Sequence, residues 1–240
     1  MRNTETSSNT KIDITENGTT TLATAGKYCD RNIDVNVNVS SDVEMVDNVA
    51  KFVQGTLEGE YVSDEVTSLK MAAFAQCKNL TSVSLPNCTT FTSFRTFYGC
   101  ENVLTINLPN LTTIHDGTNT FGMMRKAQEI RLPKLTTIQS MSATFDNCES
   151  VEIIDLSQLG GATIGANAFK NCYKLHTLIL GGDTLNPLGN TNAFNNVGVL
   201  SDKPFYIYVP DSLVETYTAE TTTNWNTLRG KIKPWSELEE

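Results

Sequence analysis

From Phe74 to Phe194 the apolar positions of this chain return in blocks, and phenylalanine keeps the count. Phe74, Phe97, Phe121, Phe145, Phe169 and Phe194 are spaced by 23, 24, 24, 24 and 25 residues. Three residues after each stand Cys77, Cys100, Met124, Cys148, Cys172 and Val197, and six after stand Leu80, Val103, Ala127, Val151, Leu175 and Leu200. Nine after stand Val83, Ile106, Ile130, Ile154 and Leu178, and eleven after stand Leu85, Leu108, Leu132, Leu156 and Leu180. Positions nine and eleven lie two apart, so they share one side of a short strand, and all these columns are expected to face inward. Proline follows in three units, at Pro86, Pro109 and Pro133, where a residue without an N–H suits the end of a strand. A second apolar pair closes the unit: Cys88 with Phe91, Leu111 with Ile114, Leu135 with Ile138. Its Thr-rich surroundings predict a second short strand or turn on the opposite wall. Self-similarity at this period marks a solenoid, in which each unit buries its apolar face only against its neighbours. Five units are clear between Phe74 and Asn192, and a degenerate one, VTSLKMAAF, precedes them.

The flanks follow other periods. Ile12 and Ile14, then Ile33, Val35, Val37 and Val39, alternate with polar residues, which is the pattern of half-buried strands. Asn17-Gly18 after the first run tolerates positive φ and predicts a hairpin turn. Ser41-Asp42-Val43-Glu44 has capping-box spacing, and Val43, Val46, Val49, Ala50 and Val53 recur at helical spacing. A short amphipathic helix from Asp42 to Gln54 is expected, covering the first edge of the stack. After Phe194 the repeat breaks. Phe205 to Val209 reads as a last strand, Asp211 as an N-cap, and Leu213, Val214 and Tyr217 as one helix face. Trp225 and Leu228 plug the end, and the acidic tail SELEE is expected to be solvated. The resulting division is 1–60 for N-terminal strands and capping helix, 61–200 for the solenoid, and 201–240 for a C-terminal cap.

Composition narrows the functional classes. The 240 residues carry a net charge of −9 with a pI near 4.8 and no run of Lys or Arg. That argues against nucleic-acid binding, whose affinity rests on phosphate neutralisation. No stretch has the length of a membrane span, and the opening MRNTETSSNTKIDI lacks the apolar core of a signal peptide. Cys77, Cys100, Cys148 and Cys172 share one inward column, so buried reduced thiols acting as small apolar groups are expected. Disulfides between adjacent rungs fit the Cα range, yet require column-mates to turn toward each other. Cys29 and Cys88 are isolated and read as packing. No C-x₂-C grouping points to zinc. His115, before Asp116, reads as a solvated loop residue, and His176 lies beside a strand. Neither accompanies a nucleophile or metal motif, and Gly160-Gly161 and Gly181-Gly182 read as turns. No cofactor, metal or catalytic residue is expected.

The outward strand positions carry more information. Eight and ten residues after each phenylalanine stand Ser82 and Ser84, Thr105 and Asn107, Glu129 and Arg131, Ile153 and Asp155, Thr177 and Ile179. Asn107, Glu129, Arg131, Ile153, Asp155 and Ile179 form the candidate partner-binding strip, with Ile153 and Ile179 as apolar anchors and Arg131 beside Asp155 on adjacent rungs.

The segments AFAQCKNLTSVSLPNCTTF, TFYGCENVLTINLPNLTTI and AFKNCYKLHTLIL resemble the repeat of the BspA-like, or Treponema-type, leucine-rich repeat family. The opening ITENGTTTL with IDVNVNV is similar to a short module of tail-associated proteins from phages of Gram-positive gut bacteria. The first resemblance implies a mainly β, right-handed leucine-rich-repeat solenoid with a parallel sheet on one wall, adhesion or binding of protein or glycan, and no catalysis. Two units depart from it: FGMMRKAQEIRL loses the cysteine and leucine columns, and Ser157 stands where proline stood. Irregularity or a change of curvature is expected at both. The expected function is therefore a non-enzymatic protein- or glycan-binding module for adhesion or surface recognition. The alternative is a structural component of a phage tail or prophage particle. The expected partner is a protein or carbohydrate on a host or cell surface, with self-association through the N-terminal strands or the exposed sheet face as a further expectation. The resemblance implies an extracellular, cell-surface or virion-associated setting.

Overall fold

The computed structural model describes residues 57–238 in full and the backbone of residues 5–6, 9–16 and 19–24. The last three segments are β1 (Glu5–Thr6), β2 (Asn9–Glu16) and β3 (Thr19–Thr24), an antiparallel sheet in the order β1-β2-β3. Glu16 pairs with Thr19; the predicted turn residues Asn17-Gly18 lie outside the described residues. The run Ile33–Val39, the capping helix of residues 42–54 and Cys29 lie outside the described residues.

From Glu58 onward the chain winds as a stack of rungs with three walls. The first wall is parallel sheet, made of β4 (Glu58–Val62), β6 (Asn79–Ser84), β8 (Thr105–Asn107), β10 (Glu129–Arg131), β12 (Ile153–Leu156), β13 (Thr177–Leu180), β14 (Tyr206–Val209) and β15 (Ile232–Pro234). The second wall is the short parallel ladder of β5 (Ser68–Leu69), β7 (Thr90–Phe91), β9 (Thr113–Ile114) and β11 (Thr137–Ile138). Its inward residues are the predicted second pairs. Its threonines are ladder pieces: Thr112 Oγ1 donates to the Thr89 carbonyl at 3.1 Å and Thr136 Oγ1 to that of Thr112 at 3.3 Å.

The third wall is made of turns, yet it too is bonded rung to rung. The N–H of Phe74, Phe97, Phe121, Phe145 and Phe169 donates to the carbonyl of Thr96, Thr120, Thr144, Ala168 and Ala193, at 2.8–2.9 Å. The bend comes from two left-handed residues per rung. Ala72, Arg95, Asn119, Ala143 and Asn167, each two before the phenylalanine, have φ of 51–60°. Gln76, Gly99, Met123, Asn147, Asn171 and Asn196, two after it, have φ of 59–76°. Asn and Gly visit this region most readily, which accounts for Asn119, Asn147, Asn167, Asn171, Asn196 and Gly99 at these bends. The amides then form their own ladder, Asn171 Nδ2 to Asn147 Oδ1 at 3.0 Å and Asn196 Nδ2 to Asn171 Oδ1 at 2.8 Å.

Between the walls the phenylalanines form one column. Successive centroids are 5.0, 6.0, 5.4, 5.4 and 5.2 Å apart, with interplanar angles of 5–17°. The columns at three, six, nine and eleven are buried from Cys77 to Leu180 except Ile106, which is partly buried. The thiols are free and form cross-rung links: Sγ of Cys100, Cys148 and Cys172 donates to the carbonyl of Phe74, Phe121 and Phe145 at 3.0, 3.1 and 3.2 Å. Burial pushes all three thiols up, Cys148 to about 12, so none is a thiolate at neutral pH.

Irregularity falls in the units where the sequence departs. The first wall divides into a sheet β4-β6-β8 and a sheet β10-β12-β13-β14-β15, the break lying where FGMMRKAQEIRL begins its strand. The second-wall ladder stops at β11, one turn before Ser157, and only an isolated bridge, Ile164 with Leu188, follows. Glycine replaces the proline stop beyond it because the backbones nearly touch: a Cβ on Gly181 would lie 1.6 Å from the Ser157 carbonyl oxygen.

Two readings of the C-terminal end are corrected. Leu200 is 66% exposed rather than inward. The last strand falls within the expected Phe205–Val209, and its Ile207, paired with Leu178, stands thirteen residues after Phe194 against nine in the earlier units, so the chain loops out before it. Asp211 caps no helix. The turn Asp211–Leu213 and the helix Val214–Thr218 have no side-chain cap, and Asp211 Oδ1 instead accepts the Ser236 N–H at 3.1 Å. Before the tail, Trp235 Nε1 donates to the Leu180 carbonyl at 3.2 Å; Ser236 and Glu237 are exposed, and Glu237 meets Lys233 at 2.6 Å. Trp225 plugs the end as expected, with Leu228 partly buried against the core, and Tyr217 joins Trp225 around the buried Asn186. Its amide donates to the Leu159 carbonyl and Tyr217 Oη, its Oδ1 accepts the Ala162 N–H, and its carbonyl accepts Trp225 Nε1, all at 3.0–3.1 Å.

Candidate interaction face

Alternation along each strand of the first wall turns one side chain in two away from the core. The register aligns these into two rows. One row runs Glu60, Ser82, Thr105, Glu129, Ile153, Thr177, Tyr206, and the other Val62, Ser84, Asn107, Arg131, Asp155, Ile179, Tyr208, Lys233. The break between β8 and β10 interrupts both. Asn107 lies before it, and the other five predicted residues lie together after it.

Asn107 Nδ2 donates to Ser84 Oγ at 2.9 Å. Arg131 sits beside Asp155 in register, but its Nε bonds to Glu129 Oε2, two residues back on its own strand, at 2.8 Å. That carboxylate holds the guanidinium more firmly protonated, with a smaller contribution from Asp155. Asp155 Oδ1 accepts the Ser157 N–H at 2.9 Å. Ile153 is half-buried on the outer side. Ile179 points the same way but is only 6% exposed, because it lies between Asp155 and Tyr208 on the flanking strands. It serves as a floor rather than a protruding anchor.

The predicted strip stopped two strands short. β14 and β15 continue the sheet and add Tyr206, Tyr208 and Lys233 to the face. The two rings meet edge to face at 6.4 Å, and Lys233 Nζ stands 5.5 Å from the Tyr206 centroid. The alternation in PFYIYVP carries the signal, but the lengthened spacing after Phe194 hid its register.

The remaining chemistry is dispersed. His115 is exposed. His176 is largely covered, with Nδ1 2.9 Å from Thr177 Oγ1 and Nε2 3.8 Å from Glu152. Desolvation and Lys203 push its imidazole below the ordinary value, against the pull of Glu152. Lys78, Glu101, Arg125 and Glu149 form an alternating ion-pair ladder, four residues after successive phenylalanines. A depression in the cap, lined by Leu185, Pro187, Leu188, three threonines and Trp225, contains no titratable side chain. Among the described residues no cluster of three or more His, Cys, Asp or Glu side chains is placed to hold a metal ion, and no helix is long and apolar enough to cross a membrane.

A family profile described as BspA type leucine-rich repeat region matches six copies within residues 48–176, more than half of the chain. The crystal structure of a leucine-rich repeat protein from T. pallidum is similar over 68% of this chain and 84% of that one, with 21% identity and a TM-score of 0.46. No curated protein matches the sequence.

Proposed function

The chain belongs to the BspA type leucine-rich repeat family, and on that premise we propose that it is a non-enzymatic recognition module, docking a partner protein on the outer face of its first wall in adhesion or surface recognition. One observation carries this reading. Ile153, Thr177, Tyr206 and Tyr208 form a patch in which aromatic and β-branched side chains are contiguous and charged groups stand at the border. Interface centres are enriched in tyrosine and depleted in charge. A wall whose strands are hydrogen-bonded rung to rung also loses little entropy on docking. Glycan is the secondary ligand class, supported by the same tyrosines.

A photo-crosslinking residue at position 206, exposed to host-surface extract, tests the reading. It should give a discrete protein adduct that the same residue at position 137, on the second wall, does not. Ile153→Arg should abolish that adduct in a folded protein. Equal labelling from both positions would defeat the proposal.

The particle reading is supported by the antiparallel β1-β2-β3 sheet, whose topology differs from everything after Glu58. Stable co-assembly with tail proteins that is lost on deleting residues 1–56 would favour it.

A further inference from the structure

We propose that the C-terminal part of the first wall takes a basic segment of its partner, an Arg or Lys side chain lying across Ile179 between Asp155 and Tyr208. The inference rests on this wall being the docking surface and goes further by naming the chemistry of the partner.

The argument is one of local charge balance. Three charged groups on this part of the face are accounted for within the molecule: Arg131 is held by Glu129 at 2.8 Å, and Lys233 by Glu237 at 2.6 Å. Asp155 lies between these compensated pairs. Its one hydrogen bond is from the Ser157 N–H, and among the described residues no cation comes within ion-pair distance of it. The patch therefore carries one carboxylate without an ion pair of its own, Arg131 on the adjacent strand being bound to Glu129 and acting on Asp155 only at longer range. The surroundings share its sign, since Glu152 stands at the head of the same strand and the chain has a net charge of −9. Next to Asp155 in register is Ile179, and next to Ile179 is Tyr208. Carboxylate, aliphatic floor and aromatic ring thus lie in one row, spaced by the strand separation of about 4.8 Å.

Long basic side chains fit such a row. Their methylene stems lie on apolar surface while the head seeks an anion, and a guanidinium can fork a carboxylate. The tyrosine corner already seats a cation, Lys233 over Tyr206, which is the geometry of a cation–π contact. An acidic partner would meet Asp155, Glu129 and the overall field without compensation. A second copy of this chain would bring another net charge of −9 against the same face.

The test uses the full chain and fluorescein-labelled peptides of sequence SLRVRLS, SLQVQLS and SLEVELS. Fluorescence anisotropy should rank them Arg over Gln over Glu, with affinity falling as salt is raised. Asp155→Asn should weaken the arginine peptide about tenfold or more, and Tyr208→Ala about threefold to tenfold. Glu60→Gln, the same charge change at the far end of the wall, should leave it unchanged. Circular dichroism confirms the fold of each variant. Equal weakening by Glu60→Gln and Asp155→Asn would reduce the effect to diffuse net charge and overturn the proposal. So would binding of the glutamate peptide, no binding of the arginine peptide, or self-association abolished by Ile153→Arg. Should the arginine peptide fail while the crosslink from position 206 persists and remains sensitive to Ile153→Arg, the wall is still the docking surface and only the basic partner is refuted.

Discussion

Removing one ring from the phenylalanine column tests the architecture at its centre. Phe145 is 1% exposed and stacks on Phe121 and Phe169, each 5.4 Å away. Truncation of a buried Phe to Ala costs about 3–5 kcal/mol through lost transfer energy and the cavity left behind. Each stacked pair adds about 0.5–1.5 kcal/mol beyond burial. The site cannot collapse easily, because the rungs on either side are held by ladders on the turn wall, Phe121 N–H to the Thr144 carbonyl and Phe145 N–H to that of Ala168. Phe145→Ala should therefore fall at the upper end, about 4–5 kcal/mol. Urea unfolding followed in parallel by far-UV circular dichroism and tryptophan fluorescence measures it. Both tryptophans, Trp225 and Trp235, lie in the cap, so fluorescence reports only the C-terminal end. In a stack coupled through nearest neighbours, a weak central interface uncouples the halves, and the two probes should cease to coincide. A loss below about 2 kcal/mol, with coincident transitions, would refute the ring column as the packing spine.

Further expectations can be checked by the same denaturation assay. Leu132→Ala, in a fully buried column, should cost about 2–5 kcal/mol, whereas Thr137→Ala, exposed on the second wall, should be nearly silent. Met123 has φ of 63° in the column held by Asn147, Asn171 and Asn196, so Met123→Asn should stabilise by about 0.5–1 kcal/mol by relieving that conformation. Thr144 Oγ1 is buried with no hydrogen-bond partner, and Thr144→Val should be neutral or stabilising by about 1 kcal/mol. For His176, whose imidazole is pushed below 6.5, the unfolded chain binds more protons between the folded value and 6.5. Stability should thus be complete above that window and decline as pH falls through it. His176→Gln should flatten this part of the pH profile.

Repetition made most of the fold legible. An inward column read from one unit is checked by four others, and the thiols of Cys100, Cys148 and Cys172 fell where that column placed them. Both departures from the repeat, read as irregularity or a change of curvature, coincide with units where a ladder stops. The cap was less legible because it occurs once. Asp211 has the composition of a helix cap, but its carboxylate is claimed by Ser236, a partner twenty-five residues away that no local rule identifies. Outward residues of the strip followed from alternation alone, but their pairing did not. Arg131 had two carboxylates in reach, and the one on its own strand prevailed. Ile179 is covered because a tyrosine follows on the next strand, and that strand's register shifts by four residues after Phe194.

The three-walled ladder also governs how such a chain tolerates insertions and deletions. Turns of the chain are tied to their neighbours at two or three places, the strand, the left-handed bend and, up to β11, the threonine corner, so a single residue gained inside any of these would misalign several sets of bonds at once. Loss or duplication of a whole turn preserves them all. Changes in length should therefore come as complete copies of the unit, or be confined to stretches whose hydrogen bonds are local, as at residues 201–204, where the chain loops out before the next strand. The reach of the wall would then be set by copy number, while its geometry stays the same.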